Sequence, residues 1–199
     1  MFRQSIKRVG QAVALVVALP CALVTAFGHW QPMFTIFSQL LAIGPGLPGD
    51  YLRSAYYRLT LRQCSIDTRI SFGTYFVRRE SAVGNLVAIG SYCVIGGATI
   101  GAGTQIGSHV LIPGGGHQHS RDASGSLTQT QHAEITIGNR CWIGDGAVLM
   151  ADIGEDSTIG AGAVVAKPIP SGVVAVGNPA RALDRRVQIE DEKRVGHPN

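Results

Sequence analysis

The sequence predicts an all-β solenoid of short parallel strands, preceded by an apolar helical segment. Ile-Gly pairs recur from Ile89 to Ile159, mostly six residues apart. Gly supplies 26 of the 199 residues, whereas charged residues make up only 15% and aromatic residues 7%. These two features disfavour a bundle of charged amphipathic helices. Two apolar runs without a charged residue, 9–27 and 33–49, mark the separate N-terminal segment.

Residues 1–49 are predicted to associate with a membrane. The run "VGQAVALVVALPCALVTAF" follows Arg3, Lys7 and Arg8, as in a signal peptide, a membrane span or a membrane-embedded hairpin. The second run, "MFTIFSQLLAIGPGLPG", is too short and too rich in Gly and Pro to span comfortably. We favour a hairpin that bends at Pro20 and keeps both basic flanks in the cytoplasm.

Two other interpretations of this segment stay open. "LVTA" at 23–26 is compatible with signal-peptide cleavage, and both runs are also compatible with helices that cap the neighbouring domain. Residues 50–63 predict an amphipathic helix on the membrane surface, with Asp50 as N-cap. Its apolar stripe would contain Tyr51, Leu52, Ala55, Tyr56 and Leu59, with the arginines elsewhere.

Residues 64–183 carry the repeat. A period of six fits neither a helix nor one continuous strand, but it suits short strands that are joined by tight turns. Three such faces make a coil of about 18 residues, and 64–112 and 135–178 supply roughly five coils. The shorter steps, Ile95 to Ile100 and Leu149 to Ile153, are interpreted as shortened faces in an unbroken register.

The charges and cysteines exclude several function classes. The formal net charge is +4, basic residues such as Arg3, Lys7, Lys167 and Arg181 lie towards the two ends of the chain, the charged tail 184–199 carries both signs, and no basic block predicts a nucleic-acid partner. The cysteines are far apart and form no CxxC pair, so we expect buried free thiols in a reducing compartment. They are Cys21, Cys64, Cys93 and Cys141.

The repeat is interrupted between Ile112 and Ile135. Residues 113–134 contain three consecutive glycines and then His117, His119 and His132. Long loops in compact domains are often functional, so this loop is the first candidate for chemistry.

The repeats resemble those of the hexapeptide-repeat acyltransferases over about residues 64–183. The segments that carry the resemblance are "IGSYCVIGGATIGAGTQIGSHVLIPGGGH", "ITIGNRCWIGDGAVLMADIG" and "STIGAGAVVAKPIPSGVVAVGNPAR". This family includes galactoside, maltose and streptogramin O-acetyltransferases and polysaccharide O-acetyltransferases. The resemblance implies a left-handed parallel β-helix, acetyl-CoA as co-substrate and a homotrimer with its cofactor grooves between subunits. Spacing alone indicates no handedness.

The resemblance also implies the catalytic residues. His117, the first histidine of the loop, would be the general base, because an imidazole with a pKa of about 6.5 can accept a proton from an acceptor hydroxyl. His119 is the rival, as base, acceptor ligand or orienting group. Asp122, Glu134 and Asn85 are candidates to orient the base, although Asn85 lies two residues from the position that relatives use.

Coenzyme A contacts follow from the same resemblance. Trp142 would line the pantetheine arm, and backbone groups of Gly160 and Ala161 would hydrogen-bond to it. Lys167 and Arg181, beside Pro168 and Pro179, would meet the phosphates.

These features together predict an acetyltransferase at the cytoplasmic face of the inner membrane. Its acceptor would be a sugar hydroxyl in a cell-surface polysaccharide or in a lipid-linked or nucleotide-linked precursor, with no metal required. The alternatives are an amino-sugar N-acetyltransferase, a γ-type carbonic anhydrase-like zinc enzyme and a non-catalytic β-helix scaffold. The zinc enzyme would draw its ligands from His109, His117, His119 and His132.

Overall fold

Three helices precede a series of very short strands. The computed structural model describes residues 2–26, 31–114 and 134–183. The helices are α1 Phe2–Ala26, α2 Gln31–Ala42 and α3 Gly46–Thr60. The strands are β1 Gln63–Cys64, β2 Arg69–Ile70, β3 Tyr75–Phe76, β4 Ala82–Val83, β5 Ala88–Ile89, β6 Val94–Ile95, β7 Ala98–Ile100, β8 Gln105–Ile106, β9 Leu111–Ile112, β10 Ile135–Ile137, β11 Trp142–Ile143, β12 Val148–Leu149, β13 Thr158–Ile159, β14 Val164–Val165, β15 Val174–Val176 and β16 Arg181–Ala182.

The strands form a three-sided prism. Face A contains β1, β4, β7 and β10; face B contains β2, β5, β8, β11, β13, β15 and β16; face C contains β3, β6, β9, β12 and β14. Successive strands visit the faces in turn, and every neighbouring pair is parallel except β15 and β16. The prediction of a stacked parallel β-helix is confirmed, and its hexapeptide repeats indicate left-handed winding.

Equivalent side chains stack inside the prism. On face B, five isoleucines occupy the same strand position and pair in register from coil to coil: Ile70, Ile89, Ile106, Ile143 and Ile159. All are buried, so each coil buries its aliphatic side chains against the coils beside it. The two shortened steps keep this register, because Ile100 pairs with Val83 and Ile153 bridges Ile137. Their interpretation as shortened faces is confirmed.

The helices close the open end of the first coil. Ser38 Oγ donates to the Phe76 carbonyl oxygen at 2.8 Å, and Ser54 Oγ donates to the Thr68 carbonyl oxygen at the same distance. The Gly73 amide donates to the carbonyl oxygen of Ala42. These bonds satisfy backbone groups that would otherwise form an exposed sheet edge.

A fully buried arginine holds this cap together. The Arg53 guanidinium donates to the carbonyl oxygens of Ile70 at 2.9 Å and Gly44 at 2.7 Å and to Asp50 Oδ1 at 2.6 Å. Further bonds reach the carbonyl oxygens of Leu41 and Ala42. Charge burial is tolerated here because nearly every donor of the guanidinium has an acceptor.

Three expectations for the helices are wrong. Helix α3 begins at Gly46 after Pro45, and Asp50 pairs with Arg53 instead of capping the helix. The arginines do not all avoid the buried side, because the carbonyl groups between α2 and α3 draw Arg53 inward. Helix α1 also continues through Pro20, where a proline costs the helix one backbone hydrogen bond without ending it.

The cysteines are free, and three of them are buried. Cys64, Cys93 and Cys141 lie inside the prism, and Cys21 is half-buried on α1. Burial raises the pKa of Cys64 to about 12 and raises the pKa values of Cys93 and Cys141 above the ordinary thiol value. These three thiols are therefore protonated at neutral pH, as structural cysteines are.

Replacing Arg53 tests the cap. We expect Arg53→Met to lower the free energy of unfolding by about 3 kcal/mol or more, because Asp50 and several buried carbonyl groups lose their partner. The matched control is Arg58→Ala on the exposed side of the same helix, which should change stability by about 0.5 kcal/mol or less. Chemical denaturation followed by circular dichroism measures both. Equal midpoints for the two variants would contradict this role of Arg53.

Candidate active site

A shallow groove of about 500 Å³ runs across face B. Strands β8, β11 and β13 form its floor, so it extends over three consecutive coils. Trp142 stands at the groove with 64% of its surface exposed, although its neighbour Ile143 is fully buried. Such exposure of an indole is unusual in a soluble domain and leaves an apolar wall without an internal partner.

Glycines keep the floor of the groove flat. A Cβ atom at Gly144 would lie 2.4 Å from the Ala161 amide nitrogen, and one at Gly160 would lie 2.7 Å from Val176 Cγ1. Only glycine therefore permits the coils to approach this closely at Gly144. The structure thus brings Trp142, Gly160 and Ala161 together on one surface.

A ladder of side-chain hydrogen bonds stops inside this groove. Along one corner of the prism, the Ser91 amide donates to Ser108 Oγ, and the Ser108 amide donates to Asp145 Oδ1 in the next coil. The corresponding residue one coil further is Ala161, which has no side-chain acceptor. Within the described part of the chain, the ladder therefore ends at the Asp145 amide, and Asp145 lines the groove.

The two predicted phosphate ligands lie on different edges. Arg181 opens β16, which extends face B beyond β15, so it lies three strands from Trp142, roughly 14 Å at the usual strand spacing. Lys167 is exposed and follows β14 at the corner between faces C and A. A single chain therefore presents Arg181, but not Lys167, on the face that carries the groove.

The loop leaves the prism at the corner opposite the groove. Strand β9 belongs to face C and β10 to face A, so residues 113–134 depart from and return to the corner between those faces. The interruption lies at the level of the third and fourth coils, which also contribute β8 and β11 to the groove. His117, His119 and Asp122 lie outside the described residues.

The returning end of the loop is fixed on face A. Both terminal nitrogens of Arg62 donate to the Glu134 carboxylate, at 2.6 and 3.1 Å, and Thr99 Oγ1 donates to the same carboxylate. Partial burial opposes ionisation, but these hydrogen bonds outweigh it and hold the pKa of Glu134 below its ordinary value. The Glu134 carboxylate is thus already paired, which leaves it poorly placed to orient a histidine.

Asn85 and His109 lie at corners of the prism other than the one between faces C and A, where β9 ends and β10 begins. Asn85 occupies the corner between faces A and B, where its Oδ1 accepts a hydrogen bond from Ser65 at 2.9 Å. His109 stacks on Tyr92 with a centroid separation of 5.4 Å, at the corner between faces B and C. Among the described residues, no three His, Cys, Asp or Glu side chains converge as a metal site would require. The other three candidate histidines, His117, His119 and His132, lie outside those residues.

Sequence reasoning missed two elements of this region. Asp145 follows the "WIG" segment in an ordinary turn, and only the ladder from Ser108 reveals its place at the groove. The pairing of Arg62 with Glu134 joins residues 72 positions apart and has no local signal.

Substitution of Gly144 tests the glycine floor. We expect Gly144→Ala to lower the free energy of unfolding by about 1–3 kcal/mol, because its methyl group meets the backbone of the next coil. Gly97→Ala is the control, since its new Cβ would find its nearest neighbour, Arg78 Cδ, at an ordinary 3.6 Å. Thermal and denaturant unfolding measure both variants. Equal stability of the two variants would refute the close approach at Gly144.

Comparisons with known proteins agree with this architecture. Residues 134–167 match the family model "Bacterial transferase hexapeptide (six repeats)". Galactoside O-acetyltransferase of Escherichia coli is 51% identical over 51 residues, 25% of each chain. Serine acetyltransferase of Mycobacterium tuberculosis is 42% identical over 69 residues, 34% of this chain and 29% of the relative. These matches thus span about a quarter to a third of the relatives' own length.

A solved structure shares the fold over a longer stretch. It is a galactoside acetyltransferase in complex with coenzyme A, with a TM-score of 0.63 and 24% identity, covering 77% of this chain and 81% of that chain. The six-residue repeats and the three-faced prism that they build resemble those of the bacterial hexapeptide transferases, whose family model matches residues 134–167.

Proposed function

We propose that this protein transfers an acetyl group from acetyl-CoA to a sugar hydroxyl. The observation that carries the proposal is the groove on face B, where an exposed indole, a glycine floor and the Asp145 amide lie together. The name of the Escherichia coli relative supports O-acetylation of a sugar.

The groove suits the shape of the donor. The pantetheine arm is thin, and the flat floor at Gly144 and Gly160 admits it close to the backbone. Trp142 packs against its methylene groups, and the Asp145 and Ala161 backbones offer hydrogen bonds to its amides. Arg181, further along the same face, meets the phosphates. Lys167 lies on another edge, which suits a phosphate contact from a neighbouring subunit.

We assign the general base to His117, with a homotrimer as the active form. The described strands end and resume at the corner between faces C and A, opposite face B, which supports a site that combines the loop of one subunit with the groove of a neighbour. A symmetric ring of three such contacts closes on itself and forms three equivalent sites. We assign His119, two residues further along the chain, to contact with the acceptor.

The reaction is a direct transfer. His117 accepts the hydroxyl proton as the sugar oxygen attacks the thioester carbonyl carbon, and a tetrahedral intermediate forms. Its collapse breaks the C–S bond, the coenzyme A sulfur takes the proton from His117, and the acetyl ester leaves. The buried, protonated thiols of Cys93 and Cys141 favour this route over an acyl-cysteine intermediate.

The acceptor that we propose is a sugar of a cell-surface polysaccharide or of its lipid-linked or nucleotide-linked precursor. This assignment places the enzyme at the cytoplasmic face of the inner membrane, where acetyl-CoA is available. An amino-sugar acceptor would yield a base-stable amide, whereas a hydroxyl yields an ester that mild alkali removes. Alkali treatment of the labelled product therefore separates O- from N-acetylation.

Removal of the base tests the catalytic assignment. We expect His117→Ala to lower kcat by about 100- to 10,000-fold while coenzyme A still binds, because only proton transfer is lost. His119→Ala should act mainly through KM for the acceptor. The assay incubates membranes containing each variant with radiolabelled acetyl-CoA and measures label in glycan. Equal labelling by wild type and His117→Ala would exclude His117 as the base.

Groove variants test the donor site. Trp142→Ala should weaken coenzyme A binding about tenfold or more, through loss of apolar contact with the arm. Arg181→Ala should weaken it more at low salt than at high salt. The control is Arg140→Ala, which removes an exposed arginine that pairs with Asp156 at the corner of faces A and B. Isothermal calorimetry with coenzyme A measures all three. Unchanged affinity for Trp142→Ala would reject this groove as the donor site.

A further inference from the structure

The apolar character of helix α1 is directed outward. Its buried stripe consists of small or polar residues at helical spacing: Gln11, Ala14, Ala18, Ala22 and Thr25. The opposite side carries large aliphatic residues, namely Val9, Val13, Val16 and Leu23. All four are exposed, Val16 to 72%. A surface helix of a soluble protein normally buries its large aliphatic residues and exposes polar ones. Helix α1 does the reverse over about four turns.

The segment after α1 continues this pattern. Ile36, Leu40, Ile43 and Leu47 are exposed at spacings of three and four residues. The charged residues within 1–49 are Arg3, Lys7 and Arg8. No Asp or Glu occurs in this segment, and residues 9–49 carry no Lys or Arg. The segment therefore combines exposed aliphatic stripes with positive charge at one end of α1.

Helix α1 is nevertheless fastened to the protein along its length. Lys7 Nζ lies 2.8 Å from Asp67 Oδ1, and Gln11 Nε2 donates to the Ile66 carbonyl oxygen at 2.9 Å. At the other end, Thr25 Oγ1 and Tyr56 Oη share a hydrogen bond of 3.1 Å. Residues 7 and 25 are separated by about 27 Å of helix, so the attachment covers nearly the whole element.

This attachment conflicts with a transmembrane orientation. Gln4–Ala26 is long and apolar enough to cross a bilayer. If it crossed, however, α3 with its exposed Arg58 and the first coil with Asp67 would enter the hydrocarbon beside it, at high cost for the charged groups. The opposite face of α1 can meet lipid without moving any of these contacts.

We propose that α1 lies in the plane of an anionic bilayer surface, with Val9, Val13, Val16 and Leu23 inserted at the boundary between headgroups and acyl chains. Arg8, whose side chain is 56% exposed, lies at one end of α1 and attracts acidic headgroups, whereas Lys7 stays paired with Asp67 on the packed side of the helix. A protein partner is a poorer match, because protein interfaces normally combine aromatic residues with hydrogen bonds and this face offers only aliphatic side chains. The proposal does not depend on the acetyl-transfer reaction.

This proposal differs from the sequence-based expectation, which put a membrane-embedded hairpin in residues 1–49 and a membrane-surface helix in residues 50–63. In this proposal the membrane-surface helix is α1 and not residues 50–63, because the apolar side of α3 packs against α2 and the first coil. It also replaces the membrane-embedded hairpin with an attached surface helix, which holds the β-helix against the membrane at a fixed orientation.

Vesicle binding tests the proposal. The purified full-length protein is mixed without detergent with preformed vesicles of phosphatidylcholine, with or without a quarter of phosphatidylglycerol, and bound protein is sedimented. We expect binding to the anionic vesicles that weakens with salt and falls at least about tenfold for Val16→Asp. The control is Leu86→Asp, an exposed leucine of the β-helix whose positive φ an aspartate tolerates. It should bind as wild type does.

A depth measurement distinguishes a surface helix from a span. A fluorophore is attached at Val16→Cys in a Cys21→Ser background, where the other three cysteines are buried. Nitroxides near the top of the acyl chains should quench it more than nitroxides near the bilayer centre. Stronger quenching from the centre would overturn the proposal, as would equal vesicle binding by Val16→Asp. A Val16→Asp variant that changes oligomer size without lipid and leaves vesicle binding intact would reassign this face to a protein interface.

Discussion

Parallel hydrogen bonding between stacked coils is the constraint on which the rest of the molecule depends. Each coil pairs with the next at equivalent residues, so one isoleucine lies above another along the whole of face B. A slip of one residue would turn these side chains outward. Because this register is fixed, residues one coil apart also share the outer surface, and Trp142 and Gly160 meet in one groove although 18 positions separate them.

The same constraint creates a problem at the first coil, whose outer backbone groups have no coil to pair with. Helices α2 and α3 supply that pairing, and the buried Arg53 ties their connection to Ile70. Because the apolar side of α3 packs against α2 and the first coil, α1 packs against the outer side of α3. Small residues such as Ala14 and Ala18 permit that close contact, and the large residues of α1 then face outward.

The sequence predicted whatever follows from periodicity. The six-residue spacing led to the coils and the shortened faces, and the resemblance to the hexapeptide-repeat acyltransferases led to the grouping of Trp142 with Gly160 and Ala161. It did not predict interactions that depend on how separate elements meet. The burial of Arg53 depends on carbonyl groups exposed between two helices, and the pairing of Glu134 depends on Arg62 at the opposite end of face A. Hydropathy likewise marked residues 1–49 as apolar without indicating which side of α1 packs inward.

Register also separates the two halves of the proposed active site. The groove lies on face B, whereas the loop with His117 joins the prism at the corner between faces C and A. The central claim is therefore that a groove from one subunit works with a loop from another.

Subunit complementation tests this claim most directly. Cells co-express His117→Ala, which keeps its groove, and Trp142→Asp, which keeps its loop, and acetyl transfer is compared with that of each variant alone. With random mixing in a ring, about a quarter of the sites would combine an intact groove with an intact loop, so the account predicts clear recovery of activity. Mixed oligomers that assemble but stay as inactive as the parent variants would contradict it.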